Sequence, residues 1–175
     1  HDALPIWSAD ATYTIIGLNQ LFNLNLSTSE IQELSSELGS DCPFFACEGP
    51  QLASGRGEKL TPFSLNFKNV YLKIVNPGIH ISTKDAFANV VFSISKKSVQ
   101  EILNQPISSW SAELKNDFES SVFMNHPELE NIKRKLYKEG AMYASMTGSG
   151  STLFAIYGSE PKSNFPNYFE RIMRL

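Results

Sequence analysis

The sequence predicts an α+β fold built of two layers, in which helices and strands are mixed along one chain of 175 residues. The strongest helix signal covers 127–140, where a proline at the first position, regularly spaced apolar residues and a final glycine all agree. The strongest strand signals lie at 70–75, 143–146 and 153–157, which are short runs rich in apolar and aromatic residues. This mixture excludes a helical bundle.

Two further helices are predicted near the N-terminal end. The first begins at Ser8, which we expect to act as its N-cap. The second begins with a capping box formed by Ser27 and Glu30, and we expect Gly39 to end it in a left-handed conformation. The apolar stripe of the first helix consists of Ala11, Ile15, Leu18 and Phe22, and that of the second of Ile31, Leu34 and Leu38. The stripe of the helix at 127–140 consists of Leu129, Ile132 and Leu136.

The remaining elements are short and are bounded by turn residues. Residues 43–47 are predicted as a buried strand and 51–54 as a strand that returns after a turn. Short helices are predicted at 83–87 and at 98–103, and another helix from Asn116. The rest of the stretch from Ser93 to Ser111 is expected to be irregular.

Composition restricts the classes of partner. Apolar residues make up 42% of the chain and charged residues 19%, with a net charge of −3, which is typical of a globular domain. This charge gives no electrostatic case for nucleic acid or an anionic membrane as a partner, and Lys133–Lys135 is interpreted as a solvated helix face. No apolar run approaches the roughly 20 residues of a membrane span. Cys42 and Cys47 are interpreted as buried thiols, so a cytoplasmic location is expected.

Asp41 is the first candidate for chemistry. It lies two residues after Gly39 and just before Pro43, which restricts Cys42 to an extended conformation and stiffens the turn. A stiff turn fixes the direction of a carboxylate, which suits a general base within reach of a substrate hydroxyl. The alternative is an Asx turn, in which the carboxylate binds only local backbone.

Two segments could hold phosphate. The loop Gly148–Ser151 joins two predicted strands and is either a simple hairpin or a concave group of backbone N–H groups that binds anions. Ser8 and Ala9 open a predicted helix, and helix N-termini bind phosphate. Ile6 and Trp7 occupy the places where a phosphate loop needs glycine, so a plain capped helix is the alternative.

Thr83 and Phe87 are four residues apart and share one helix face, where a hydroxyl and a ring suit either a ligand base or the core. His80 has no partner at metal-ligand spacing, so no metal site is predicted. Arg56 is interpreted as a surface turn residue or a phosphate contact.

Five segments taken together resemble one family. They are Leu38–Phe45, Gly55–Leu60, Asn116–Glu119, His126–Leu129 and Met146–Thr152. In this order and spacing they resemble the 4-diphosphocytidyl-2-C-methyl-D-erythritol kinases of the GHMP kinase superfamily, which act in non-mevalonate isoprenoid biosynthesis. The resemblance extends from Ser8 to about Tyr157, and the segments are specific as a set rather than singly.

The resemblance implies an ATP-dependent small-molecule kinase. Such enzymes transfer the γ-phosphoryl group of ATP to the 2-hydroxyl of a cytidine-diphosphate-linked methylerythritol, and ATP chemistry implies Mg²⁺. Asp41 matches the proton acceptor of the family. Thr83 and Phe87 match positions near the cytidine end of the substrate.

The resemblance also implies the residues that bind ATP. Gly148, Ser149 and Gly150 match the third superfamily motif, which supports the phosphates. Ser8 and Ala9 match the end of the glycine-rich ATP loop. Neither a nucleic acid nor a membrane is implied as a partner, and the oligomeric state is left open.

The departures from the family predict how the chain is organised. Residues 1–7 do not resemble the family, 8–62 are expected to be a remnant of its N-terminal ATP-loop domain, and 63–175 its C-terminal, ferredoxin-like domain. Because the catalytic lysine and loop glycines are missing, we expect a truncated kinase that is inactive alone and prone to aggregate through exposed apolar surface. After Pro161 the C-terminal end is expected to be cut or divergent relative to the family.

Two rival interpretations remain. Another GHMP kinase, acting on mevalonate, homoserine or galactose, would share much of the pattern. A non-catalytic binding module would use Asp41 only as a turn residue and the glycine loop only as a hairpin.

Overall fold

A computed structural model of the chain describes residues 5–55, 57, 59–88, 90 and 97–175. Within it the chain forms two compact units, the first ending at Leu65 and the second beginning at Asn66. In the described residues, no helix combines the length and the apolar character that crossing a membrane requires.

The first unit contains helices, one tight helical turn and a hairpin. Its elements are α1 (Pro5–Leu21), α2 (Thr28–Ser36), a 3₁₀ helix (Cys42–Ala46), β1 (Gln51–Ser54) and β2 (Lys59–Pro62). The two strands pair antiparallel, with Gln51 opposite Pro62. The predicted strand at 51–54 is therefore confirmed, and its partner is β2 rather than the segment at 43–47.

The start of the first helix was predicted wrongly. Because α1 begins at Pro5, Ser8 lies inside the helix and is not its N-cap. The buried face of α1 includes Ser8 and Thr12, whereas Leu18 and Phe22 of the predicted stripe are exposed. Polar atoms therefore replace part of the expected apolar contact, because the Thr12 hydroxyl donates a hydrogen bond to the Cys42 carbonyl at 2.8 Å.

The second helix begins as predicted and ends differently. The capping box of Ser27 and Glu30 is present, with both reciprocal hydrogen bonds made. Of the predicted stripe only Ile31 is buried, since Leu34 and Leu38 are exposed. The helix ends at Ser36, and Gly39 lies beyond its cap without a left-handed conformation, so its predicted role in ending the helix was wrong.

The segment at 43–47 is a 3₁₀ helix and not a strand. Proline fixes φ near the helical value and is favoured in the first turn of a helix, so Pro43 is compatible with this turn. The backbone N–H groups of Cys42 and Cys47 donate to Gly39 and Phe44, three residues earlier. Cys42 is therefore helical, and the prediction that Pro43 holds it extended was wrong.

The second unit is a four-stranded sheet with helices. Its elements are β3 (Tyr71–Asn76), α3 (Thr83–Ala88), α4 (Val99–Leu103), α5 (Ile107–Glu113), α6 (Phe118–Asn125), α7 (Pro127–Lys138), β4 (Tyr143–Met146), β5 (Leu153–Tyr157) and β6 (Phe169–Arg174). The strand order is β4-β5-β3-β6, and every neighbouring pair is antiparallel. The predicted α+β class is confirmed by this mixture.

The core of this unit lies between one face of the sheet and α7. The helix contributes the three predicted residues, all buried: Leu129, Ile132 and Leu136. The sheet contributes Val75 of β3 and Leu153 and Ala155 of β5, each with no exposed surface. Gly140 has a positive φ of 94° after the last turn, as expected for a helix that ends in glycine.

Two elements of this unit were not predicted. Helix α5 occupies part of the stretch expected to be irregular, and Trp110 on it is buried against Tyr143, with ring centroids 5.7 Å apart. Strand β6 pairs with β3 along its whole length, although the sequence after Pro161 was expected to diverge.

Candidate functional site

The corner that carries Asp41 is anchored through the residue that follows it, Cys42. The Asp41 backbone is helical, at φ −87° and ψ −14°, and its carboxylate makes no capping hydrogen bond to the 3₁₀ helix that follows. Next to it, the Cys42 N–H donates to Gly39 at 3.1 Å, and the Cys42 carbonyl accepts from the buried Thr12 hydroxyl at 2.8 Å. These contacts fix the backbone while the Asp41 side chain stays exposed.

The turn between β1 and β2 lies beside the Asp41 carboxylate. A Cβ atom added to Gly57 would lie 3.3 Å from Asp41 Oδ1, and Gly57 has a φ of +108°, which a side chain would strain. Glycine therefore lets this turn approach the carboxylate closely. Arg56, predicted as a surface residue or phosphate contact, lies outside the described residues.

Ser8 and Ala9 are the fourth and fifth residues of α1. They lie beyond the first turn, whose N–H groups have no partner within a helix. Ser8 is buried, and its carbonyl lies 3.0 Å from the Thr12 hydroxyl oxygen, whose one hydrogen is shared between the carbonyls of Ser8 and Cys42. Thr12 therefore connects Ser8 with the corner of Asp41, and these two sequence-predicted positions belong to one local structure.

The glycine loop joins β4 to β5, as predicted. The Thr147 N–H donates to Thr152 at 2.9 Å, and the Gly150 N–H donates back to Thr147 at 3.1 Å. Gly148 and Gly150 both have positive φ, at 55° and 97°. The loop is thus a defined turn in which glycine is required at two positions.

The two glycines of this loop face different surroundings. A Cβ atom at Gly150 would come within 2.8 Å of Met146 Sδ and 2.9 Å of Ile81 Cδ1, so this glycine allows close packing. A Cβ atom at Gly148 would meet nothing within 4 Å among the described residues, and Gly148 is exposed. The Gly148 side of the loop is therefore the side that a ligand could approach.

Side chains complete the hydrogen bonding of β4, which is an edge strand of the sheet. The Tyr137 hydroxyl accepts from the Ala144 N–H and donates to the Ala144 carbonyl, both at 3.1 Å. Farther along, the Glu119 carboxylate accepts from the Met146 N–H at 2.8 Å. Unpaired backbone groups along a strand edge are thereby covered from one side.

Asn116 and Glu119 lie where this edge meets the glycine loop. The Asn116 amide donates to the carbonyls of Met146 and Gly148, both at 2.8 Å. Glu119 also pairs with Lys133 at 2.5 Å, so Lys133 is not simply solvated as predicted. The sequence pointed to this segment only through family resemblance and gave it no role.

Phe87 and Thr83 lie on α3, also in the second unit. The Phe87 ring contacts that of Phe118 edge to face, with centroids 4.8 Å apart, and remains 54% exposed. The Thr83 side chain lies outside the described residues. Ser151 donates to the Ile79 carbonyl at 2.6 Å, which joins the glycine loop to the segment before α3.

The buried phenols of this unit are hydrogen-bonding groups rather than acids. Burial raises the pKa of Tyr143 to about 12. Burial also raises the pKa of Tyr137, and the negative charge of Glu119 adds to the effect. No group of three or more His, Cys, Asp or Glu residues within the described ranges could hold a metal ion.

Comparisons with known proteins test the family resemblance. Residues 95–171 match the family model described as GHMP kinases C terminal. This match extends past Pro161, so the expected divergence beyond that residue was wrong.

The chain is similar to curated enzymes that all carry the same name. The 4-diphosphocytidyl-2-C-methyl-D-erythritol kinase of Cytophaga hutchinsonii is 41% identical over 174 residues, which cover 95% of this chain and 64% of the relative. The enzyme of the same name from Bacteroides fragilis is 41% identical over 89% of this chain and 57% of its own length. The resemblance is confirmed, and the chain spans about three fifths of these relatives.

Solved structures share the fold. A crystal structure of 4-(cytidine 5'-diphospho)-2C-methyl-D-erythritol kinase matches with a TM-score of 0.72 and 24% identity, over 88% of this chain and 56% of that one. A homoserine kinase from Cytophaga hutchinsonii matches with a TM-score of 0.53 and 20% identity, over 81% of this chain and 52% of its own. At these identities the likeness concerns the fold alone.

Proposed function

We propose that this chain, a relative of the 4-diphosphocytidyl-2-C-methyl-D-erythritol kinases, supplies the general base and a phosphate-binding loop for the same reaction. In that reaction the γ-phosphoryl group of ATP passes to the 2-hydroxyl of 4-diphosphocytidyl-2-C-methyl-D-erythritol, in non-mevalonate isoprenoid biosynthesis. The observation that carries the proposal is the corner of Asp41, in which the backbone is fixed and the carboxylate is exposed.

Asp41 would accept the proton of the substrate hydroxyl as the hydroxyl attacks phosphorus. A general base must be directed at one proton, and a carboxylate on a rigid backbone meets that condition. The Thr12 hydroxyl and the Cys42 N–H both restrain the residue that follows Asp41. Phosphoryl transfer otherwise depends mainly on positioning and on stabilising charge, which side chains and backbone N–H groups can supply.

The remaining sequence-predicted residues would hold the two substrates. Gly148, Ser149 and Gly150 would bind phosphate, because the exposed Gly148 side of the loop leaves room for it. Ser8 and Ala9 would form the end of the ATP loop.

At the cytidine end, Thr83 and Phe87 would contact the base, since half of the Phe87 ring is available for stacking. Magnesium would enter with ATP, held mainly by the phosphates.

A phosphorylation assay tests this function directly. The 175-residue chain, and a hybrid in which it replaces the matched segment of the Cytophaga hutchinsonii kinase, are incubated with Mg-ATP and the cytidylyl substrate. Parallel reactions contain mevalonate, homoserine or galactose. We expect the hybrid to phosphorylate only the cytidylyl substrate. Activity on another alcohol would instead assign a different GHMP kinase. If the hybrid shows neither activity nor a calorimetric signal of ATP binding, the chain is a non-catalytic module.

The role of Asp41 is tested in the same hybrid by Asp41→Asn. Loss of a general base costs roughly 10²–10⁴-fold in rate, so kcat should fall by about a thousandfold while both KM values change little. Asp10→Asn is the matched control, because Asp10 is an exposed carboxylate on α1. Equal kcat values for the two variants would remove Asp41 from the mechanism.

A further inference from the structure

Asn116 occupies a special place in the second unit, between the start of α6 and the glycine loop. Its two amide hydrogens are donated to the carbonyls of Met146 and Gly148, each at 2.8 Å. Its oxygen accepts from the Phe118 N–H at 3.0 Å. The Asn116 side chain therefore holds the carbonyls of Met146 and Gly148, on either side of Thr147, and is itself held by the first N–H of α6.

The direction of these bonds has a consequence for the loop. In a trans peptide the C=O and N–H groups point in opposite directions. The Met146 carbonyl faces Asn116, and the next N–H, that of Thr147, points the other way and donates to Thr152. The Gly148 carbonyl also faces Asn116, so the Ser149 N–H must point away from it.

A Cβ atom added to Gly148, which directly precedes the Ser149 N–H, would meet nothing within 4 Å among the described residues, so the loop is open at this point. An N–H group that is fixed before the ligand arrives binds an anion more strongly, because no reorganisation is needed. Glu119 supports the same geometry through the other backbone group of Met146. Its carboxylate accepts from the Met146 N–H and is held by Lys133.

We propose that Asn116, supported by Glu119, is a positioning residue that turns the Ser149 N–H toward the phosphates of ATP. This inference rests on the proposed function, because it assigns a cause to the phosphate binding of the same loop. Asn116 does not touch the ligand and acts only through the carbonyls that it holds.

The test uses Asn116→Asp, which keeps the size of the side chain and its acceptor for the Phe118 N–H. A carboxylate has no N–H to donate, and it faces two carbonyl oxygens instead. The matched control is Asn104→Asp, because it adds the same charge at an exposed helix end. If Asn116→Asp does not fold, Asn116→Ala removes the donors without the repulsion.

Two readouts separate a positioning role from a merely structural one. By NMR of the 175-residue chain, exchange of the Gly150 amide with solvent should become about tenfold faster, while the buried β5 amides keep their protection. In the hybrid kinase, KM for Mg-ATP should rise about tenfold with kcat changed less than threefold.

The outcomes distinguish the two proposals. Unchanged Gly150 exchange and unchanged KM in the Asn116 variants would overturn the positioning role while the kinase function stands. A change that Asn104→Asp reproduces would overturn it as well, because charge alone would explain it. If the unsubstituted hybrid does not bind Mg-ATP, the proposed function fails and the assignment of Ser149 to phosphate fails with it.

Discussion

Lys73→Met should destabilise the second unit by about 4 kcal/mol, because it removes the cation from a buried ionic cluster. Lys73 lies in the middle of β3 and has no exposed surface. Its ammonium group contacts Glu139 Oε2 at 2.9 Å, Glu170 Oε1 at 2.7 Å and the Lys162 carbonyl at 2.8 Å. Glu170 belongs to β6, so this cluster also fastens the edge strand of the sheet.

The magnitude follows from what the substitution leaves behind. Removing one partner of a buried ion pair typically costs about 3–5 kcal/mol, because the other charge stays buried without compensation. Here two carboxylates would face each other, and Glu139 Oε1 already has no hydrogen-bond partner among the described residues. Their side chains keep 15% and 7% exposure, which favours the middle of the range over its upper end. Such a loss lowers Tm by about 15 °C for a unit of this size.

The pH dependence gives a second signature. Burial raises the pKa of Glu170, but hydrogen bonds from Lys73, Ser163 and the Phe165 N–H outweigh it, so the net pKa lies below the usual value. A carboxyl group with a lowered pKa in the folded state contributes stability above its unfolded pKa of about 4.3. That contribution is lost as the pH falls through the folded pKa. The difference between wild type and Lys73→Met should therefore be largest near neutral pH and shrink below about pH 4.

Urea unfolding followed by tryptophan fluorescence measures this cost. The chain has two tryptophans, and Trp7→Phe leaves only the buried Trp110 in the second unit. Lys138→Met is the matched control, because it removes an exposed lysine and should change stability by less than about 0.5 kcal/mol. A cost below about 1 kcal/mol for Lys73→Met, or one that does not shrink in acid, would refute the reasoning.

Two other substitutions test the hydrogen bonds of single hydroxyl groups. Thr12→Val leaves a buried carbonyl without its donor and should cost about 1–3 kcal/mol in the first unit, measured by amide hydrogen exchange. Thr14→Val is the control, because Thr14 makes a similar bond to the fourth preceding residue at an exposed position. Tyr137→Phe leaves the N–H and the carbonyl of Ala144 without their side-chain partner. It should lower the free energy of unfolding in urea by about 2 kcal/mol. The exposed Tyr13→Phe should leave stability unchanged, and equal effects of the two tyrosine substitutions would argue against the strand-edge role.

Signals that are local in sequence predicted the fold well. The apolar stripe of α7, the capping box of α2 and the strands β3, β4 and β5 all appear where the sequence placed them. Each of these depends on spacing within one element, so neighbouring residues suffice to identify it.

The failures come from contacts between distant residues. The buried face of α1 includes Thr12, whose partner lies 30 residues away, and no periodicity shows that a hydroxyl will be satisfied there. Strand β6 reads Phe-Glu-Arg-Ile-Met-Arg, which shows no regular alternation of apolar and charged residues, and the ammonium group that neutralises the nearly buried Glu170 comes from Lys73 on another strand. The apolar run at 43–47 predicts a strand, but the segment forms a 3₁₀ helix. The hydrogen bond from the distant Thr12 hydroxyl to the Cys42 carbonyl is made at the start of that helix.

The candidate site shows the same division. Asp41 and the glycine loop could be identified from residue type and family resemblance. The closeness of Gly57 to the carboxylate, and the hold of Asn116 on the loop, join residues far apart in sequence and so could not be predicted. In the sequence Asn116 and Glu119 stand out only as part of a motif, although their contacts place them next to the loop.

The edge of β4 connects stability with the proposed function. Side chains must cover the free backbone groups of an edge strand, and here the same kind of contact continues into the glycine loop. Tyr137 acts in the middle of the strand, whereas Asn116 acts at the loop itself. Tyr137→Phe should therefore lower stability without changing KM for Mg-ATP in the hybrid, whereas Asn116→Asp should raise KM while the β5 amides keep their protection. If both substitutions raised KM equally, general loosening of β4 would explain the effect, and the orientation of the Ser149 N–H would lose its special role.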